Sequence, residues 1–134
     1  HVFYFISFLF VQKFKLKDLI YCLSLSIISA LIILLYKGFE FNGLLPLILI
    51  YAVIISFMVG KAISNFVNEK TNFNLLVTIG TIMFFLSDLF LLFRLFASVG
   101  RIGSILCLIF YYPAQFLLAL SILVVSKNHT KGVK

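Results

Sequence analysis

One acidic side chain, Asp88, lies in the middle of the apolar segment that runs from Leu75 to Phe96. A segment of this length can cross a hydrocarbon layer of about 30 Å. A charged Asp at that depth costs about 2.5–3.5 kcal/mol on insertion scales, so its carboxyl group must face protein, water or a substrate. Ser87 precedes it, and Arg94 lies about 120° around the helix, which makes it a poor partner. Asp88 is therefore the first candidate for chemistry.

Two kinds of chemistry suit a carboxyl group that is held away from bulk water. An apolar environment disfavours the charged form, so the group can hold a proton and act as a general acid. The same property suits a proton-linked transporter in which Asp88 is the carrier site. The residues themselves leave both interpretations open, together with a third in which the protein is a non-catalytic membrane scaffold.

Other polar side chains at membrane depth could complete a site with Asp88. Gln115 lies near the middle of the last apolar segment, and Tyr112 lies one helical turn before it, so both can border one face. Tyr51 lies within the third apolar segment. Such groups also serve as ordinary hydrogen bonds between membrane helices. We expect Asp88 to face a lipid-sized hollow that is shared with the last helix.

Five apolar segments are available to position these groups. The chain of 134 residues is 63% hydrophobic and 11% charged, whereas soluble domains carry about 25% charged residues. Short connectors require consecutive helices to run antiparallel. We predict an all-α, up-and-down transmembrane bundle that forms one domain over residues 1–134, from segments at 1–11, 19–36, 44–63, 75–96 and 104–125. The first segment is too short to span a bilayer and no initiator Met precedes it, so we expect an N-terminal truncation.

The distribution of charge predicts the orientation in the membrane. One side holds most of the lysines, and the other holds Lys37, Arg94 and Arg101. Because cytoplasmic loops are enriched in Lys and Arg, the lysine-rich side and the C-terminus are predicted to be cytoplasmic. Lys61 is expected to extend its side chain to that interface. The lysine-rich side comprises Lys13, Lys15, Lys17, Lys61, Lys70, Lys127, Lys131 and Lys134.

Composition also argues against several partners. The formal net charge of +7 would suit nucleic acid, but the basic residues fall between apolar runs and form no dense patch. No cluster of His, Asp and Cys has the spacing of a zinc site. Cys22 and Cys107 lie inside apolar runs, where they act as small apolar residues. We therefore expect no nucleic acid, no metal and no cofactor.

Several of these residues resemble the motifs of the YhhN-like family of membrane proteins, which includes the lysoplasmalogenases. The family's Ser-Asp motif, its Tyr-x-Ala-Gln motif in the last helix, and a Tyr-Ala pair followed by Met and Ala each have a similar element here. The start of the chain is similar to the family's Gly-His-x-x-Tyr element without its Gly. The matching residues are His1, Tyr4, Tyr51, Ala52, Met58, Ala62, Gly80, Phe84, Ser87, Asp88, Leu91, Tyr112, Ala114 and Gln115.

The resemblance implies a structure and an activity. Members are expected to have eight helices, so this chain would supply the last five. The implied reaction is hydrolysis of the vinyl-ether bond of a lysoplasmalogen, a lysophospholipid drawn from the bilayer, by an enzyme without a cofactor. Asp88 would be the catalytic acid, and a second acidic residue would lie upstream, so the fragment alone is expected to be inactive. The residues implied to bind or orient substrate are Ser87, Tyr112, Gln115, Tyr51, His1 and Tyr4.

Overall fold

The computed structural model describes residues 3, 6, 10, 13–37, 43–97 and 100–132, with only the backbone described at 128–131. Within these ranges the chain forms four α-helices: α1 (Leu16–Leu35), α2 (Leu45–Asn68), α3 (Asn72–Phe96) and α4 (Gly100–Gly132). Each contains a segment that is long and apolar enough to cross a membrane. The predicted all-α fold is confirmed, and the chain is an integral, multi-pass membrane protein.

The number of helices differs from the prediction, since four rather than five are described. The predicted first segment, 1–11, lies outside the described residues except for Phe3, Ile6 and Phe10, which are helical and exposed. Each of the four described helices extends beyond its predicted apolar run at one end or at both ends. Polar residues account for the difference, because α2 continues to Asn68 and the Thr71 side chain caps α3 by accepting from the Asn74 amide at 3.2 Å.

Each described helix packs against the next one in the chain. The helices α1 and α2 approach closely at Gly60, where an added Cβ would lie 2.8 Å from the Cα and the amide nitrogen of Cys22. Small residues allow membrane helices to approach in this way. The hydroxyl groups of Ser29 and Ser56 also meet across this contact, with 3.1 Å between their oxygens.

A buried apolar cluster joins the middle of α2, α3 and α4 and sets the rotation of α3. Phe84 and Val77 of α3 lie between side chains of α2 and α4. At Gly80 an added Cβ would lie 3.1 Å from Leu118, so α3 and α4 also approach closely. With α3 fixed in this way, the direction of Asp88 follows from its position on the helix. The cluster comprises Ile55, Met58, Val59, Ala62, Val77, Phe84, Ala114 and Leu118.

A buried ion pair holds α1 to α2 at the lysine-rich end. The Lys61 ammonium lies 2.5 Å from Oδ2 of Asp18, and both side chains are buried. Lys61 also donates to the Lys13 carbonyl at 3.1 Å, and its nitrogen lies 5.7 Å from the centre of the Phe14 ring. The prediction that Lys61 extends to the interface is therefore wrong, because a carboxylate on the neighbouring helix and the preceding segment enclose its charge.

Candidate functional site

Asp88 and Tyr51 meet between α3 and α2. The Tyr51 hydroxyl donates a hydrogen bond to Oδ2 of Asp88 at 2.8 Å. Tyr51 lies about 9 Å along the axis from the beginning of α2, and Asp88 lies about 12 Å before the end of α3, at about 1.5 Å per residue. Because α2 and α3 are antiparallel neighbours, these two positions fall at similar depth. The sequence named both residues, and the structure brings them together.

The pair lies in the wall of a cavity with a volume of about 480 Å³. Volumes of a few hundred Å³ are typical of sites for small ligands. The cavity occupies the half of the bundle that is remote from the lysine-rich end. Its described lining residues belong to α1, α2 and α3 and are Ser29, Ile33, Leu47, Ile48, Ile50, Tyr51, Ala52, Ile54, Ile55, Phe85, Asp88, Leu89, Leu91, Leu92, Leu95 and Phe96.

Tyr51 and Asp88 supply the polar chemistry of this otherwise apolar lining. Ser29 also lines the cavity, but its hydroxyl donates to the Leu25 carbonyl at 2.8 Å and contacts Ser56. In an apolar environment a hydrogen bond between a phenol and a carboxyl group is stronger than in water. The arrangement can therefore hold one carboxyl group in a fixed orientation against an apolar ligand.

Ser87 contacts α4 and does not line the cavity with Asp88. Its hydroxyl donates to the Cys107 carbonyl at 3.0 Å and lies 3.4 Å from the Cys107 sulfur. Successive residues of a helix point about 100° apart, and here Ser87 points towards α4 while Asp88 points towards α2. The observed contact of Ser87 joins α3 to α4, and its proposed role with substrate stays a prediction.

Tyr112 and Gln115 lie on α4, and neither is among the described residues that line the cavity. The Tyr112 side chain is 67% exposed, and its ring packs against Tyr111 with 5.8 Å between centroids. The expected hollow shared by Asp88 and the last helix is therefore not found among the described residues. The reason is the rotation of α3, which turns Ser87 and Phe84 towards α4 and Asp88 towards α2. The roles predicted for Tyr112 and Gln115 stay predictions.

His1 and Tyr4, the remaining predicted site residues, lie outside the described residues. The pairing of Asp18 with Lys61 was not predicted from the sequence. Oδ1 of Asp18 accepts a hydrogen bond from Ser64, and its Oδ2 accepts one from the Lys15 amide at 2.9 Å. The sequence did contain one indication that Lys61 is buried: it directly follows Gly60, a small residue on a closely packed helix face.

Comparison with known proteins identifies the family. A family model described as the YhhN family matches residues 1–122. No curated protein and no solved structure matches the chain significantly. The matched range contains Tyr51, Ser87, Asp88 and Gln115 and covers most of the sequence. On this evidence the chain belongs to the YhhN family.

Proposed function

We propose that this protein hydrolyses the vinyl-ether bond of lysoplasmalogens and releases a fatty aldehyde and a glycerophospho-base. The observation that carries the proposal is the hydrogen bond between Tyr51 and Asp88 in the wall of an apolar cavity. Ionisable groups at membrane depth mark substrate or proton pathways. Membership of the YhhN family, which includes the lysoplasmalogenases, also supports vinyl-ether hydrolysis as the proposed reaction.

The reaction is acid-catalysed: Asp88 transfers the proton, one water is consumed, and the second acidic residue expected upstream would stabilise the cation. Protonated Asp88 donates its proton to the vinyl carbon that is remote from the ether oxygen, and the carbon next to oxygen becomes an oxocarbenium ion. Water adds to that carbon and returns a proton to the Asp88 carboxylate. The resulting hemiacetal collapses to the aldehyde and the free glycerol hydroxyl, so the net reaction consumes one water. General acid catalysis of this kind contributes about 10²–10⁴-fold to a rate.

Tyr51 has a positioning role in this scheme. Its hydroxyl donates to Oδ2 of Asp88, so the proton that is transferred would be carried on Oδ1. The same hydrogen bond becomes stronger when Asp88 turns into a carboxylate, because hydrogen bonds to ionised groups are stronger than neutral ones. Tyr51 therefore stabilises the negative charge that develops as the proton leaves.

The cavity suits a lipid with a single chain. Its lining is aliphatic and aromatic apart from Ser29, Tyr51 and Asp88, which favours an alkenyl group over a polar substrate. A volume of about 480 Å³ can hold the glycerol part and the first carbons of one chain. We also propose the orientation indicated by the lysines, with the C-terminus in the cytoplasm and the cavity in the opposite half of the membrane.

The test is product analysis with the protein purified at its full natural length in detergent. A 1-O-alkenyl lysophospholipid should yield a fatty aldehyde, detected by mass spectrometry after trapping as a hydrazone. The matched 1-O-alkyl and 1-acyl lysophospholipids should remain intact, because neither has a vinyl ether to protonate. Absence of aldehyde from the alkenyl lipid would reject the proposal, and proton uptake coupled to solute movement would instead favour a transporter.

A further inference from the structure

The cavity extends to the end of the bundle that is remote from the lysine-rich end. On α2 its lining begins at Leu47, close to the first residue of that helix, and on α3 it continues to Leu95 and Phe96, the last residues of that helix. On α1 the lining consists of Ser29 and Ile33, in the last two turns. A ligand in the cavity is thus close to the membrane interface at this end.

Lys37 lies at this interface, directly after α1. It lies four residues after the lining residue Ile33 and just beyond the end of α1 at Leu35, and its side chain is exposed. The preceding residue fixes its location, because the Tyr36 amide donates to the Ile32 carbonyl at 3.3 Å and the Tyr36 ring meets Phe93 of α3 edge-on at 5.1 Å. The backbone that leads into Lys37 is therefore held beside α3.

The depth of Asp88 matches the dimensions of a lysophospholipid. Asp88 lies about 12 Å below the end of α3, at about 1.5 Å per residue. In a lysoplasmalogen the vinyl carbons are separated from the phosphorus by about seven bonds, which span on the order of 9 Å when extended. A phosphate at the level of the helix ends therefore places the vinyl ether close to the depth of Asp88.

We propose that Lys37 binds the phosphate of the lysophospholipid and so selects phosphorylated over neutral single-chain lipids. The inference rests on the proposed function, since it uses Asp88 as the place where the chain reacts. An ammonium group is a strong phosphate ligand, because it is a compact charge with three donors. Binding at Lys37 also sets the direction of the substrate, with its head at this interface and its vinyl ether beside the carboxyl group.

Arg94 provides a matched control at the same end of the bundle. It is also exposed and cationic, but its Cβ lies 3.2 Å from the Cβ position of Gly103, so its side chain starts against α4. The cavity lining includes its neighbours Leu92 and Leu95, but not Arg94 itself. A general electrostatic attraction at this interface would involve both cations, whereas a specific phosphate site requires Lys37.

The test measures binding of two ligands that the enzyme cannot hydrolyse. The probes are 1-O-alkyl-glycerophosphocholine, which contains phosphate, and the neutral 1-O-alkylglycerol with the same chain. Dissociation constants are compared for the wild-type protein, Lys37→Gln, Lys37→Arg and Arg94→Gln, each at full natural length and monodisperse in detergent. We expect Lys37→Gln to weaken binding of the phosphate probe roughly fivefold and to leave the neutral probe unchanged. Lys37→Arg and Arg94→Gln should bind both probes as the wild type does.

The outcomes separate this inference from the proposed function. Unchanged binding of the phosphate probe in Lys37→Gln, an equal loss for both probes, or an equal loss in Arg94→Gln would overturn the phosphate site at Lys37. The hydrolysis assay tests the function independently. With the alkenyl lysophospholipid, Lys37→Gln should raise KM by the same factor as the dissociation constant and leave kcat unchanged. The predicted binding pattern in a protein that releases no aldehyde would support Lys37 and reject the hydrolase.

Discussion

The Tyr51 hydroxyl donates to Oδ2 of Asp88 at 2.8 Å and joins α2 to α3 in the wall of the cavity. Each group alone would be a costly polar side chain in an apolar environment. The hydrogen bond between them satisfies both groups and fixes the orientation of the carboxyl group in the cavity wall. Tyr51 and Asp88 are therefore the two side chains on which the proposed reaction depends.

Removing the Tyr51 hydroxyl should slow the reaction without abolishing it. In Tyr51→Phe the carboxyl group remains but loses the donor that orients it and stabilises its charge. We expect kcat for aldehyde release to fall about tenfold, equivalent to the loss of one hydrogen bond of about 1.4 kcal/mol. The matched control is Tyr21→Phe, because Tyr21 is exposed on α1 and is not among the lining residues. Equal rates for Tyr51→Phe and the wild type would remove Tyr51 from the mechanism.

Proton transfer to carbon leaves an isotopic label in the product. When the reaction runs in D₂O, Asp88 carries deuterium, so the aldehyde should contain one deuterium on the carbon next to its carbonyl group. Immediate reduction of the aldehyde to the alcohol prevents later exchange, and mass spectrometry then counts the label. The initial rate should also be lower in D₂O, because the transferred atom moves in the transition state. An unlabelled product would show that the vinyl carbon is not protonated by an exchangeable acid.

The ion pair between Asp18 and Lys61 should be important for stability. In Lys61→Met the Asp18 carboxylate stays buried without its counter-charge, which costs about 3–5 kcal/mol. In the double variant Asp18→Asn/Lys61→Met both charges are absent, and the Asn oxygen can still accept from Ser64. We expect the double variant to recover most of the loss in free energy of unfolding, measured by denaturant titration in micelles.

A control for this experiment is Lys70→Met, since Lys70 is exposed and surface substitutions change stability by about 0.5 kcal/mol or less. If Lys61→Met and Lys70→Met were equally stable, the buried pair would contribute nothing to holding α1 against α2. A double variant no more stable than Lys61→Met would show that the loss comes from packing of the Lys61 stem rather than from its charge.

The close contact of α1 and α2 predicts a strong effect at one glycine. In Gly60→Ala the new methyl group would lie 2.8 Å from the backbone of Cys22, so the helices must separate. Overpacking of this kind costs about 1–3 kcal/mol. The same substitution at Gly132, where nothing lies within 4 Å, should be almost neutral. Thermal unfolding in detergent distinguishes the two variants, and equal melting temperatures would contradict the observed packing.

Much of the fold could be predicted from the sequence because the membrane imposes simple rules. An apolar run such as 75–96 must be a helix, since backbone groups in lipid have no other partners. The boundaries were less accurate, because polar residues such as Asn68 and Asn72 continue the helices beyond the hydrocarbon core. Asp88 could be predicted as a site residue because a charge at its depth is costly. Tyr51 was also identified as a candidate.

The parts that could not be predicted depend on how helices rotate against one another. The sequence placed Ser87 and Gln115 near Asp88, but Ser87 contacts Cys107 and the cavity opens towards α1 rather than α4. Helical periodicity states which residues share a face, but not which neighbouring helix that face meets. The pairing of Lys61 with Asp18 is similarly a contact between distant segments, and the position of Lys61 after Gly60 does not by itself identify Asp18 as the partner.

The most direct test of the proposed chemistry is the rate of aldehyde release by Asp88→Asn. The substitution keeps the size of the side chain and an oxygen that can accept from Tyr51, but it removes the acidic proton. We predict a loss of about 10²–10⁴-fold in kcat, with elution in gel filtration and binding of the 1-O-alkyl lysophospholipid unchanged. Aldehyde release by Asp88→Asn within threefold of the wild-type rate would contradict the account.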